Sequence, residues 1–158
     1  MKKISLTQGK FALVDDEDFD ELSKYKWYAH KSFNTFYAER QVRVEQGRGN
    51  RQKPMKMHIV ILGTPSGMLT DHIDGDGLNN QRINLRIATF QENCRNTRKY
   101  KNNSTGFKGV IFQDKKYRPR IMVSGKSISL GMFEKKEDAY QAYCDACIKY
   151  HGEFANVG

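Results

Sequence analysis

Residues 71–93, DHIDGDGLNNQRINLRIATFQEN, hold the side chains of this chain best suited to chemistry. Asp71 and His72 are adjacent, an Asp-Gly-Asp-Gly run follows at 74–77, and asparagines stand at 79, 80, 84 and 93. Carboxylate and amide oxygens are hard ligands for a hard divalent cation. An imidazole beside them can take a proton from water near neutral pH. Together these groups point to metal-assisted hydrolysis of a phosphodiester. A bland reading, in which the same residues only knit a tight turn, fits a single DHxDG better than it fits the whole block.

Such groups work only if the chain brings them to one point, and the flanking residues describe how. MHIVILG, at 57–63, is a short apolar helix or strand that would pack behind the site. MLTDH reads as a strand ending at the acid–imidazole pair, and LRIAT as a second strand. DGDGLNNQRIN between them is too rich in Gly and Asn for regular structure, so it is an ordered loop. Thr89 and Glu92 have capping-box spacing, which starts a helix at Phe90 and puts Asn93 on its first turn. The order is strand, loop, strand, helix. His58 could reach a metal or DNA, but support of the core is the better reading of a histidine in an apolar run.

MH, DHIDGDGLNN, INLR and ENCRN resemble, in order and spacing, the HNH nucleases, in particular the small phage and intron-encoded homing endonucleases of the ββα-metal fold. The resemblance implies that Asp71 and Asn93 ligate one Mg²⁺ or Mn²⁺ and that His72 is the general base activating water. It makes Asn84 the middle asparagine, orienting the imidazole of His72 or fixing the loop, and Asn79 and Asn80 loop scaffolding. The third letter of the motif is here Asn93, and amide ligation argues against zinc.

Whole-chain properties narrow the class. At 158 residues the chain can form one ordinary domain or two small ones. A net charge of +9 points to a polyanionic partner, nucleic acid before membrane. No run of about 18 apolar residues is present, and MKKISLTQGK has no apolar stretch of a signal peptide, so a cytoplasmic location and no membrane are expected. Three cysteines do not make a disulfide framework. The Cys144–Cys147 CxxC has no second pair, so buried small side chains are a better reading of it than zinc.

Residues 1–57 read as a β-rich unit. KFALV alternates, Asp18 could cap a short helix FDELSKY, and Trp27, Tyr28, Phe33, Phe36 and Tyr37 favour strands. The acidic cluster at 15–18 reads as a solvated turn and helix start. Arg40, Arg43, Arg48, Arg51, Lys53 and Lys56 fit phosphate contacts and a solvated strand face equally well.

Residues 101–158 form a further unit after residues 58–100. GFKGVIFQ, KYRPRIMV and SISLGMF read as three strands, with turns at Asp114-Lys115-Lys116 and Ser124-Gly125-Lys126. A helix follows, with Ala139, Tyr143, Ala146, Cys147 and Tyr150 on one stripe and Gly152 as its stop. FKGV, LGMF and the alanine-spaced helix resemble the plant ethylene-response-factor type of DNA-binding domain. That resemblance implies a three-stranded antiparallel sheet, packed on one helix, entering the major groove. Lys108, Arg118 and Arg120 would then meet DNA, with Lys115, Lys116 and Lys126 near phosphates. Upstream, Arg95, Arg98, Lys99 and Lys101 form a basic linker. Residues 95–126 carry ten Lys/Arg and one acid, Asp114, whereas 134–153 carry five acids and three lysines, so one face of this unit would turn to DNA.

The expected protein is therefore α+β, a ββα-metal nuclease core between a β-rich unit and a sheet-and-helix unit. It would act on double-stranded DNA. One motif per chain fits nicking by a monomer or double-strand cutting by a homodimer. The alternative is a non-catalytic DNA-binding regulator that keeps a degenerate nuclease fold.

Overall fold

The computed structural model describes residues 1–44, 51–96 and 103–158. The fold is α+β, with small antiparallel sheets, and the chain divides into two compact units, Met1–Phe90 and Gln91–Gly158. Arg48, Arg98, Lys99 and Lys101, named above as candidate DNA contacts, lie outside the described residues. Among the described residues no helix is long and apolar enough to cross a membrane.

The first unit opens with the hairpin β1 (Lys2–Ser5) and β2 (Phe11–Val14), whose alternation turns Ile4, Ala12 and Val14 inward. Helix α1 (Asp16–Leu22) follows, with Asp16, Glu17 and Asp18 in its first turn, where carboxylates complement the helix dipole. It starts earlier than the sequence reading, which put the cap at Asp18. Asp15 holds the N-cap position, and its carboxylate accepts hydrogen bonds from Arg82 N and Gln81 Nε2, a long-range pairing that local spacing does not reveal. Leu22 ends the helix, and its carbonyl accepts from the buried Trp27 indole at 2.8 Å, which turns the chain into the next sheet.

That sheet is the meander β3 (Tyr28–Ser32), β4 (Thr35–Arg43) and β5 (Gln52–Lys56). Helix α2 (Met57–Leu62) follows directly and stops at Gly63, which takes a left-handed conformation at φ +60°. Strands β6 (Leu69–His72) and β7 (Leu85–Ala88) pair antiparallel, with Asp71 opposite Arg86 and His72 opposite Leu85. One core holds Ile4, Ala12, Val14, Leu22, Trp27, Ala38, Met57, Ile61 and Leu85. The β-rich segment and the strand–loop–strand segment thus share an interior. Helix α3 spans Phe90–Arg95, starting where the capping pattern put it.

In the second unit β8 (Val110–Gln113), β9 (Lys116–Val123) and β10 (Lys126–Ser129) form an antiparallel sheet in the order β10-β9-β8. Both hairpins turn on two residues of positive φ, Asp114-Lys115 (51° and 60°) and Ser124-Gly125 (49° and 77°), the geometry that matches strand twist. Helix α4 (Lys136–His151) lies on the sheet and buries Ala139, Tyr143, Ala146 and Cys147 with Val110 and Ile121. Tyr150, placed on that stripe by its spacing, is instead 39% exposed. In the last turn it is His151 that meets the sheet, its Nε2 3.0 Å from the Met122 carbonyl.

Candidate active site

Asp71 and His72 end β6, and the loop that follows is held by its own side chains. Asp74 Oδ1 accepts from Asp76 N at 2.8 Å and from Asn84 Nδ2 at 2.9 Å, while Asp74 Oδ2 accepts from Asn79 Nδ2 at 2.8 Å. Asn84 Oδ1 accepts from Asp74 N at 3.1 Å, and its Nδ2 also donates to Asn79 O at 2.8 Å. Burial works to raise the pKa of Asp74, but these hydrogen bonds outweigh it and hold the carboxyl below its usual range. Of the two roles the sequence allowed Asn84, its contacts are those of loop fixing.

The loop is also tied to residues far upstream. Leu13 N donates to Leu78 O and Asn80 N to Leu13 O, both at 2.8 Å. Gly77 N donates to Thr35 Oγ1 at 2.9 Å. A Cβ at Gly77 would lie 2.4 Å from Phe36 O and 2.6 Å from the Tyr37 ring, so only glycine fits against β4. Arg82 sets its guanidinium on Asp18 (2.7 and 2.9 Å) and Glu17 (2.8 Å). The acidic cluster is therefore an anchor for the loop as well as a helix start.

His72 is 5% exposed. Its ring meets His58 edge-on with centroids 4.9 Å apart, and Tyr37 lies 5.8 Å away on β4. Its Nε2 is 3.2 Å from Asn80 Oδ1. Burial lowers its pKa, against the opposing pull of the Asn80 hydrogen bond and the charges of Asp74, Asp71 and Asp76. The ring is thus neutral at neutral pH, as a base must be. His58 is pushed down to about 3, first by burial and then by His72 and Lys56. Its buried Nδ1 has no hydrogen-bond partner among the described residues. Sequence reasoning missed Tyr37 and Asn80 as neighbours of the imidazole. Tyr37 has no local signal, being 35 residues away in the chain, and the adjacent asparagines 79 and 80 do not differ in type.

Asp71 is buried, and Arg86, directly across the ladder, places Nε at 2.9 Å and a terminal nitrogen at 2.7 Å from its Oδ2. Among the described residues no three His, Cys, Asp or Glu side chains converge as a metal cluster. Among the described residues, a cation at Asp71 would draw its other ligands from amide or water oxygens, hard donors of the kind Mg²⁺ and Mn²⁺ take. Asn93 lies half-buried on α3, its carbonyl 3.2 Å from Asn96 N. It belongs to the second unit, whereas Asp71, His72, Asn79, Asn80 and Asn84 are gathered in the first.

In the second unit Arg118 and Arg120 alternate with the buried Pro119 and Ile121, so they project from the sheet face away from α4. Arg120, Lys115, Lys116 and Lys126 are exposed. Arg118 is held at 2.7 Å by Asp114. Lys108 differs from its expected place at DNA: its ammonium donates to the carbonyls of Asn156 (2.7 Å) and Arg95 (3.2 Å), and burial pushes its pKa down. Those carbonyls give a desolvated ammonium partners that strand alternation does not show. Arg95 is half-buried at the end of α3.

No family model matches the chain, and no solved structure matches it. An uncharacterized HNH endonuclease of Acanthamoeba polyphaga mimivirus is 32% identical over 149 residues, 94% of this chain and 74% of the viral protein. Protein 3.8 of Escherichia phage T7 is 38% identical over 93 residues, 58% of this chain and 76% of the phage protein. With a buried acid–imidazole pair at the mouth of an asparagine-braced loop, and a relative of that name along nearly its whole length, the chain belongs to the HNH endonuclease family.

Proposed function

We propose that the chain is a metal-dependent DNA endonuclease of the homing type, hydrolysing phosphodiester bonds of double-stranded DNA in the cytoplasm of a host cell. The carrying observation is His72: buried, with a lowered pKa, next to the Asp71 carboxylate, and bonded through Nε2 to Asn80. Its remaining lone pair takes the proton of the attacking water. Asp71 and Asn93 would hold the cation, by motif position. When bound, Mg²⁺ or Mn²⁺ supplies charge neutralisation at the phosphate and at the leaving 3′ oxygen. Arg86 keeps the Asp71 carboxylate in one orientation. His58, neutral at working pH, shields the imidazole without adding a second positive charge.

The grip on DNA falls to the second unit in this reading, in the manner of an ethylene-response-factor domain. Support comes from the exposed Arg120 and Lys116 on β9, Lys115 in the turn before it and Lys126 at the start of β10. One observation favours the alternative of a non-catalytic DNA-binding regulator: the Asp71 carboxylate that would hold the cation is already engaged by the Arg86 guanidinium. Relaxation of supercoiled plasmid with Mg²⁺ or Mn²⁺ separates the two. The enzyme cuts, and His72→Ala removes cutting while DNA affinity stays. Wild type that binds DNA but leaves plasmid intact with either cation, across a range of targets, would establish the regulator instead.

A further inference from the structure

We infer that Asn80 fixes the tautomer of His72 and thereby decides which imidazole nitrogen serves as base; this rests on the proposed role of His72. Asn80 is completely buried. Its Nδ2 donates to the Leu78 carbonyl at 3.2 Å, an atom that can only accept. That bond decides which end of the amide is which, and leaves Oδ1 as the atom 3.2 Å from His72 Nε2. An amide oxygen also only accepts, so Nε2 must carry the ring proton. The lone pair then resides on Nδ1. Turning the amide around would set its oxygen against the Leu78 carbonyl oxygen, an unfavourable pairing of two acceptors at a fully buried site.

The other asparagines are committed elsewhere. Asn84 uses its Oδ1 on Asp74 N and its Nδ2 on Asp74 Oδ1 and Asn79 O. Asn79 donates to Asp74 Oδ2. Loop fixing and ring fixing are thus done by different residues. Asn80 owes its own position to β2: Leu13 accepts from Asn80 N and donates to Leu78 O, each at 2.8 Å, which pairs residues 78–80 with the N-terminal hairpin. His58 and Tyr37 flank the ring and limit its rotation away from the amide. Asn80 touches no reacting atom, so it is a positioning residue.

Histidine-¹⁵N-labelled full-length protein gives a direct test. Long-range proton–nitrogen correlation on metal-free protein, at a pH where His72 is neutral, reads the tautomer without any cleavage. Wild type should show the Nε2–H form alone. Asn80→Ala should show a mixture of both tautomers and lower kcat on cleavable DNA by about 100-fold, with KM little changed. Asn80→Asp, which keeps an acceptor oxygen, should hold the Nε2–H form. A wild-type His72 in the Nδ1–H form overturns the inference, and it does so even where the alanine variant fails to fold. So does an Asn80→Ala protein with a pure Nε2–H ring and unchanged kcat. The expected wild-type tautomer in a protein that cuts no DNA upholds the assignment and sinks the proposed function alone.

Discussion

The buried His58 should make the first unit acid-labile in a defined window. In the folded chain its pKa is pushed down to about 3, from an ordinary value of 6.5. The unfolded chain binds a proton there as the pH falls below 6.5, and the folded chain does not. The stability that a neutral His58 allows is therefore complete above about pH 6.5 and is lost progressively as the pH falls towards the folded value. Each pH unit in that window costs about 1.4 kcal/mol per histidine, so at pH 5 His58 alone removes about 2 kcal/mol. For a unit of this size that lowers Tm by about 10 °C. His72, also lowered by burial, acts with the same sign. Asp15 and Asp74, whose pKa values are lowered from 3.8, share the sign but lose their contribution only at more acid pH.

The perturbation that isolates His58 is His58→Phe. A phenyl ring can occupy the same place between His72 and Tyr37, and it removes both the titration and the buried Nδ1 that lacks a partner among the described residues. Denaturant unfolding followed from about pH 7 to 5 gives a slope of stability against pH for each protein. Wild type should be steeper by about one proton, or 1.4 kcal/mol per pH unit, while the two proteins differ by less than about 1.5 kcal/mol at neutral pH. Equal slopes would show that His58 does not enter folding as a neutral group, and would remove it as a neutral wall of the site.

Two glycines of the second unit provide a paired test of how close α4 lies. Gly106 and Gly109 both have positive φ, +80° and +73°, but a Cβ at Gly106 meets nothing within 4 Å, whereas one at Gly109 falls 2.0 Å from the Tyr143 ring. Gly106→Ala should cost about 1 kcal/mol by backbone strain alone, and Gly109→Ala a further 1–3 kcal/mol by overpacking, read as the difference in denaturation midpoints. On the sheet's outer face, Arg120→Ala should reduce the salt-dependence slope of DNA binding by about one. Arg118→Ala should change it less, because Asp114 already holds that guanidinium at 2.7 Å; fluorescence titrations across salt concentrations give both slopes, and equal slopes for all three proteins would count against docking through this face.

Much of the architecture was legible because the local signals are strong. Glycine and asparagine density marked the loop, Thr89 and Glu92 marked the start of α3, and paired turn residues marked both hairpins of the second unit. Failures came where a side chain's partner lies far away in the chain. Four consecutive acids offer several equivalent caps, and Asp15 holds the position while its carboxylate, making no cap bond, receives Arg82 N from 67 residues away. Lys108 falls in a basic run whose pattern points to DNA, yet its ammonium closes on Asn156 O, 48 residues on. Charge counting recognises that a lysine is present but not which way it turns.

The same distinction applies within the candidate site. The motif at 71–93 contains the acid, the imidazole and the asparagines, and their identities alone suffice to name a chemistry. Their directions come from residues outside it. Leu13 on β2 orders residues 78–80, Thr35 and the close approach of β4 at Gly77 set the loop's outer turn, and Tyr37 and His58 wall the ring. These residues span 13–58, and their chain neighbours Val14, Ala38 and Met57 lie in the core against which Leu78 of the motif packs, so the N-terminal segment is structurally part of the site. A loop carrying residues 71–84 alone would keep Asp71, His72 and the asparagines at 79, 80 and 84. It would lose the β2 pairing that seats Asn80, and with it the single tautomer on which a base of defined geometry depends.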